Sequence, residues 1–132
     1  MSYRRLFGAW LLLAVAMPIN GAFRELVMKP RIPHDTANLV SAALGILLIL
    51  GITRLVFRVP AETPARHLAA MSVLLVILTV AFETTFGLIE GRTVRELLQH
   101  YALWDGELWP IVLLVLAATP VIWRGRVVAP AD

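Results

Sequence analysis

Four apolar stretches follow one another along the chain, each near the ~20 residues that a helix needs to cross ~30 Å of hydrocarbon. They cover residues 6–28, 37–57, 68–90 and 107–123, with short polar breaks between them. Between the third and fourth lies a segment of a different kind, residues 93–101, where Val94, Leu97, Leu98 and Tyr101 recur at i, i+3, i+4 and i+7. That period is helical and one-sided, and the segment is too short and too charged to span. The pattern predicts an all-α polytopic membrane protein: four transmembrane helices and a short interfacial amphipathic helix between helices 3 and 4. All of it falls in a single domain, residues 1–132.

The breaks carry recognisable signals. Pro30 and Pro33, beside Lys29 and Arg31, cannot sit in a continuing helix and end the first stretch, while Pro18 predicts a kink within it. Asp35 and Thr36 are placed to cap the second helix, and Ala37, Ser41 and Gly45 then form a small-residue stripe at four-residue spacing, the kind of face that lets another helix approach closely. Thr93 with Glu96 three residues later is a capping box, and Asp105 with Gly106 makes a turn before the fourth helix, whose first turn suits Pro110. Tyr3, Trp10, Trp104, Trp109 and Trp123 stand where interfacial aromatics often sit, and Pro120 predicts a bend in the last turn.

Composition supports the membrane reading, since 59% hydrophobic residues with 16% charged is far from the balance of a small soluble domain. The net charge of +3 does not point to nucleic acid, because the bases are dispersed at the ends of apolar stretches and act as topology signals. With the N-terminus inside, Arg4, Arg5, Arg54, Arg58, Arg66, Arg124 and Arg126 are cytoplasmic, against Arg24, Lys29, Arg31, Arg92 and Arg95 outside. Both termini are thus expected in the cytoplasm. The first stretch is long and has no small-x-small cleavage site, so a retained helix is expected rather than a signal peptide. The absence of cysteine excludes disulfides, thiolate metal sites and cysteine nucleophiles.

One residue stands out chemically. Glu83 lies in the outer third of a predicted span, and a carboxylate there usually faces protein or water and has a partner. Helices one and three run the same way, and at 1.5 Å per residue Glu83 lies roughly 22 Å and Arg24 roughly 27 Å from the inner ends of their stretches. An Arg24–Glu83 pair is therefore expected, in a polar cluster with Asn20, Glu25, Glu90 and Tyr101, and with Thr84, Thr85 and His100 nearby. His34, His67 and His100 are too scattered for a metal site, no glycine-rich phosphate loop or hydrolase motif is present, and no cofactor is expected.

The phrases NGAFRE (20–25), AFETTFG (81–87) and ELLQHYALWDGELWPIVLLVLAATP (96–120) resemble a group of small bacterial four-helix membrane proteins with an NGxxRE, FExxxG and YxxxxGxxW pattern. The resemblance covers most of the chain and implies a bacterial inner-membrane location, with no chemistry attached. Three functional readings follow. The first is a structural or accessory subunit, or a homo-oligomer, whose Arg–Glu cluster locks helices one and three. The second is an oligomeric proton- or ion-coupled transporter or channel using Glu83. The third is a protein or enzyme that binds lipid headgroups. The expected partners are the lipid bilayer with a second copy or a larger membrane protein, and not nucleic acid.

Overall fold

The computed structural model describes residues 3–99 and 108–125. Within them the chain is helical: α1 (Tyr3–Phe23), continued by a π-helical turn (Arg24–Met28), then α2 (His34–Val56), α3 (Ala65–Ile89), α4 (Val94–Gln99) and α5 (Trp109–Ile122). The stretches Tyr3–Met28, His34–Val56 and Ala65–Ile89 are long and apolar enough to cross a membrane, while α5 is apolar but shorter. No strand is formed among the described residues; a lone parallel bridge joins Val59 to Arg124.

The four long helices pack in a ring, α1 beside α2, α2 beside α5, α5 beside α3, and α3 back against α1 along the thinnest seam. Antiparallel α1 and α2 are held close by the small-residue stripe: Ala37, Ser41 and Gly45 are all buried, followed at the same spacing by Ile49 and Thr53. A Cβ on Gly45 would stand 3.1 Å from Met17 Cε, which shows how near the two backbones come. Large apolar side chains such as Leu11, Leu12, Ile19, Leu47, Leu55 and Leu114 point outward. In water such a surface would aggregate, whereas hydrocarbon solvates it.

The core is confined to one end of the bundle. In α1 the buried residues are Leu6, Ala9 and Leu13, and in α3 they are Leu68, Met71 and Leu75, the same i, i+3, i+7 spacing. Beyond Leu13 and Leu75 neither helix buries another residue until Met28 and Gly87. The packed half is closed by Phe57 and Val59 from the α2–α3 connection and by Trp123, whose Nε1 donates to Thr53 Oγ1 at 2.9 Å beneath the Arg54 guanidinium. In the other half the helices enclose space.

Local chemistry follows the sequence in several places and departs from it in others. The capping box forms, with Thr93 N–H donating to Glu96 Oε1 at 3.0 Å and Glu96 N–H to Thr93 Oγ1 at 3.2 Å. Pro110 occupies the first turn of α5. Asp35 and Thr36 do not cap α2; Pro33 precedes it and makes no side-chain cap, so Asp35 acts only as a first-turn acid facing the helix dipole. Trp10 is not an interfacial anchor either, because it turns inward to α3, where its Nε1 donates to Thr79 Oγ1 at 3.1 Å. Of the amphipathic segment, only Leu97 packs inward, against Gly87, while Val94 and Leu98 remain 61% and 64% exposed. Its last residues, His100 and Tyr101, and the expected turn at Asp105 and Gly106 with Trp104 lie outside the described residues.

Candidate functional site

The unfilled half of the bundle is a cavity of about 590 Å³ bounded by α1, α2, α3 and α5, with Leu97 of α4 at its edge. Its floor is the top of the core, at Leu13, Ile49 and Leu116. Its rim lies at the end carrying the α1–α2 and α3–α4 connections, where Arg24, Lys29, His34, Glu90 and Arg92 stand. An apolar floor beneath a charged rim is an amphipathic container, and the volume is in the range of small-molecule sites, ~300–1,000 Å³.

The rim is built by a break in helix geometry. Lys29 N–H bonds to Arg24 O at 2.9 Å, an i→i+5 step that puts an extra residue into the turn after Phe23. Arg24 there meets α2, with Nη1 3.4 Å from Ser41 Oγ, and a Cβ on Gly21 would lie 3.8 Å from its other terminal nitrogen, so the side chain folds back along α1. Asn20, one turn earlier, donates to Ser41 O at 3.0 Å. Lys29 Nζ reaches Glu25 Oε1 at 2.9 Å, and Arg24 Nε is 3.5 Å from the same oxygen. That second contact is one of charge only, because Arg24 Nε is buried without a hydrogen-bond partner. Arg92 and Glu90 stand 3.9 Å apart.

The expected Arg24–Glu83 pair is not formed. No ion pair joins them, and Glu83 makes no hydrogen bond among the described residues. Arg24 turns instead to Ser41 of α2 and to its neighbour Glu25. Trp10 meets Thr79 and packs edge-on against Phe82 at 5.7 Å, although Trp10 is about two turns into α1 and Thr79 about four turns into α3.

Of the expected cluster, the structure brings Asn20, Arg24, Glu25, Glu83 and Glu90 to the walls of one cavity. Tyr101 and His100 lie outside the described residues, and Thr84 and Thr85 are exposed on α3 and do not line it. Sequence reasoning missed the aromatic wall of Trp10, Phe82, Phe86 and Trp109. Phe82 and Phe86 stack at 5.9 Å and continue the contact with Trp10. Thr79 was the available signal, a lone hydroxyl in an otherwise apolar run, since such a group in a span bonds to its own helix or to a neighbour. Trp109 Nε1, like Arg24 Nε, is buried without a partner. Among the described residues no group of His, Asp and Glu is gathered closely enough to hold a metal ion.

What the arrangement can do is bind. Among the described residues it offers a carboxylate within the cavity, aromatic faces and paired charges at the mouth, and no nucleophile next to a base. Comparison of the chain with protein-family models, with curated proteins and with solved structures returns no match.

Proposed function

We propose that this chain is an integral protein of a bacterial inner membrane, with four spans and both termini in the cytoplasm, that holds an amphipathic small molecule in a cavity open to the outer face. The observation that carries the reading is the cavity itself, apolar at its floor and charged at its rim. A bundle whose polar residues served only to lock its helices would close this volume with side chains, as its other half does. Moreover, the expected Arg24–Glu83 pair is not formed, and the side-chain hydrogen bonds of Asn20 and Arg24 go to α2.

The topology rests on three helices of spanning length and on the greater number of bases at the packed end. α5 contributes the fourth pass; its 14 residues cover about 21 Å, and flanking residues complete the span. The core at the packed end favours binding over conduction, since a pathway would have to pass Leu6, Leu68, Met71 and Leu75, all buried there. Every wall comes from one chain, so the reading requires neither the homo-oligomer nor the larger partner expected from the sequence.

The test is native mass spectrometry of the full chain released from its own membrane in mild detergent. Wild type is expected to retain a small molecule that Ala14→Trp, which places an indole on the cavity wall, loses while keeping its fold. A bare wild-type chain, or the same adduct in both proteins, would remove the binding reading and return the lock.

A further inference from the structure

We propose that the ligand is an organic cation with an apolar body, whose charged head lies at Glu83 beside the rings of Trp10, Phe82 and Phe86. This deepens the binding reading and rests on it. The first reason is charge. Among the described residues three carboxylates line the cavity, and two of them are engaged: Glu25 by Lys29 and Arg24, and Glu90 by Arg92. Glu83 has no ion pair and no hydrogen bond among the described residues, and Arg92 and Arg24 act on it only across longer range. Among the described residues it is the one wall carboxylate left to be matched from within the cavity.

The second reason is the lack of donors around it. Thr79 precedes Glu83 by four residues on the same helix face, but its single hydroxyl proton goes to Leu75 O at 2.8 Å, and its oxygen accepts from Trp10 Nε1. With its N–H committed, Trp10 has its ring surface left to offer, and Phe82 and Phe86 offer nothing else. A carboxylate among ring faces suits a weakly hydrated ammonium or phosphonium, which ion pairing and cation–π attraction hold together without hydrogen bonds from the ligand. An inorganic cation would require several oxygen ligands, and this wall supplies one carboxylate.

The third reason is size and shape. About 590 Å³ is far more than a metal ion or an ammonium ion fills, and the floor at Leu13, Ile49 and Leu116 is apolar. The body of the ligand is therefore hydrocarbon or aromatic.

The experiment compares two ions of one shape and opposite charge, tetraphenylphosphonium and tetraphenylborate, by equilibrium dialysis against the full chain in phosphatidylcholine nanodiscs, with empty nanodiscs as the blank. Wild type is expected to bind the phosphonium saturably and the borate no more than the blank. Glu83→Gln weakens phosphonium binding about 10-fold or more, and Glu83→Asp, which keeps the charge, recovers part of it. Both variants are checked for wild-type elution and helicity. Equal or tighter borate binding, or a Glu83→Gln protein that binds the phosphonium as wild type does, overturns the cation assignment and leaves the binding reading in place. No saturable binding of either ion also overturns it, and the adduct lost in Ala14→Trp then decides separately whether the cavity binds anything.

Discussion

Glu83 separates the two uses of a charged residue in a span by the sign of one stability change. If it locked helices, neutralising it would leave a partner unpaired and lower the melting temperature. Glu83 has no partner among the described residues, so Glu83→Gln removes a group that hydrocarbon disfavours, and in detergent the variant is expected to melt at or above the wild-type temperature. Thr79 behaves in the opposite way. Thr79→Val keeps the shape but leaves Trp10 Nε1 without its acceptor, which costs about 1–3 kcal/mol; Trp10→Phe in the same chain should recover part of the loss. Thermal scans of both single variants and the double variant measure that coupling. At Gly45 the sign is set by crowding: Gly45→Val presses on Met17 and Asn20 and is expected to lose about 1–3 kcal/mol. These residue types were legible in the sequence, the stripe through Gly45 especially. The partner of Glu83 was misread because spacing along a helix does not say which neighbour a long arginine side chain turns to.

At the scale of elements, α4 is the piece whose placement depends most on local chemistry. Its capping box holds the Glu96 carboxyl below its ordinary value of 4.5, chiefly through the Thr93 backbone N–H and then its hydroxyl. A carboxyl depressed in the folded chain stabilises it above the ordinary carboxylate range, and that contribution fades as the pH falls through the lowered value. The start of α4 should therefore fray only below about pH 4.5, seen as faster exchange of the Thr93 amide, and Glu96→Gln should remove the pH dependence. The short helix is further seated by Leu97 against Gly87, where any side chain would displace Leu97. The turn leading to it passes through Gly91 at φ +88°, a conformation that favours glycine. Capping box, proline positions and amphipathic period are all contained within a few residues, which is why they could be read from the sequence. The π turn after Phe23 could not, because an i→i+5 step leaves no periodic mark in five residues.

Over the whole molecule the division into a packed half and an open half governs behaviour. Substitutions at Leu6, Met71 or Leu75 remove buried volume from the core and are expected to cost about 2–5 kcal/mol as alanine variants. Changes around the rim should alter ligand retention far more than stability. Topology is testable without background labelling, because the chain has no cysteine. Ala61→Cys is expected to react with an impermeant maleimide from the cytoplasmic side and Asp35→Cys and Arg95→Cys from the other. Labelling of all three from one side would refute the alternating spans.

The sequence by itself determined the helical class, the approximate helix limits, the stripe that joins α1 to α2 and the capping of α4. Each of these depends on residues within a turn or two of one another, or on the length of an apolar run. Only the tertiary structure decided that Trp10 meets Thr79, that Arg24 turns to Ser41 and not to Glu83, and that the space beyond Leu13 and Leu75 stays open. Those features follow from how far one helix slides along another before its side chains interlock. Sliding is set by the fit of several surfaces at once, and no single stretch of sequence records it.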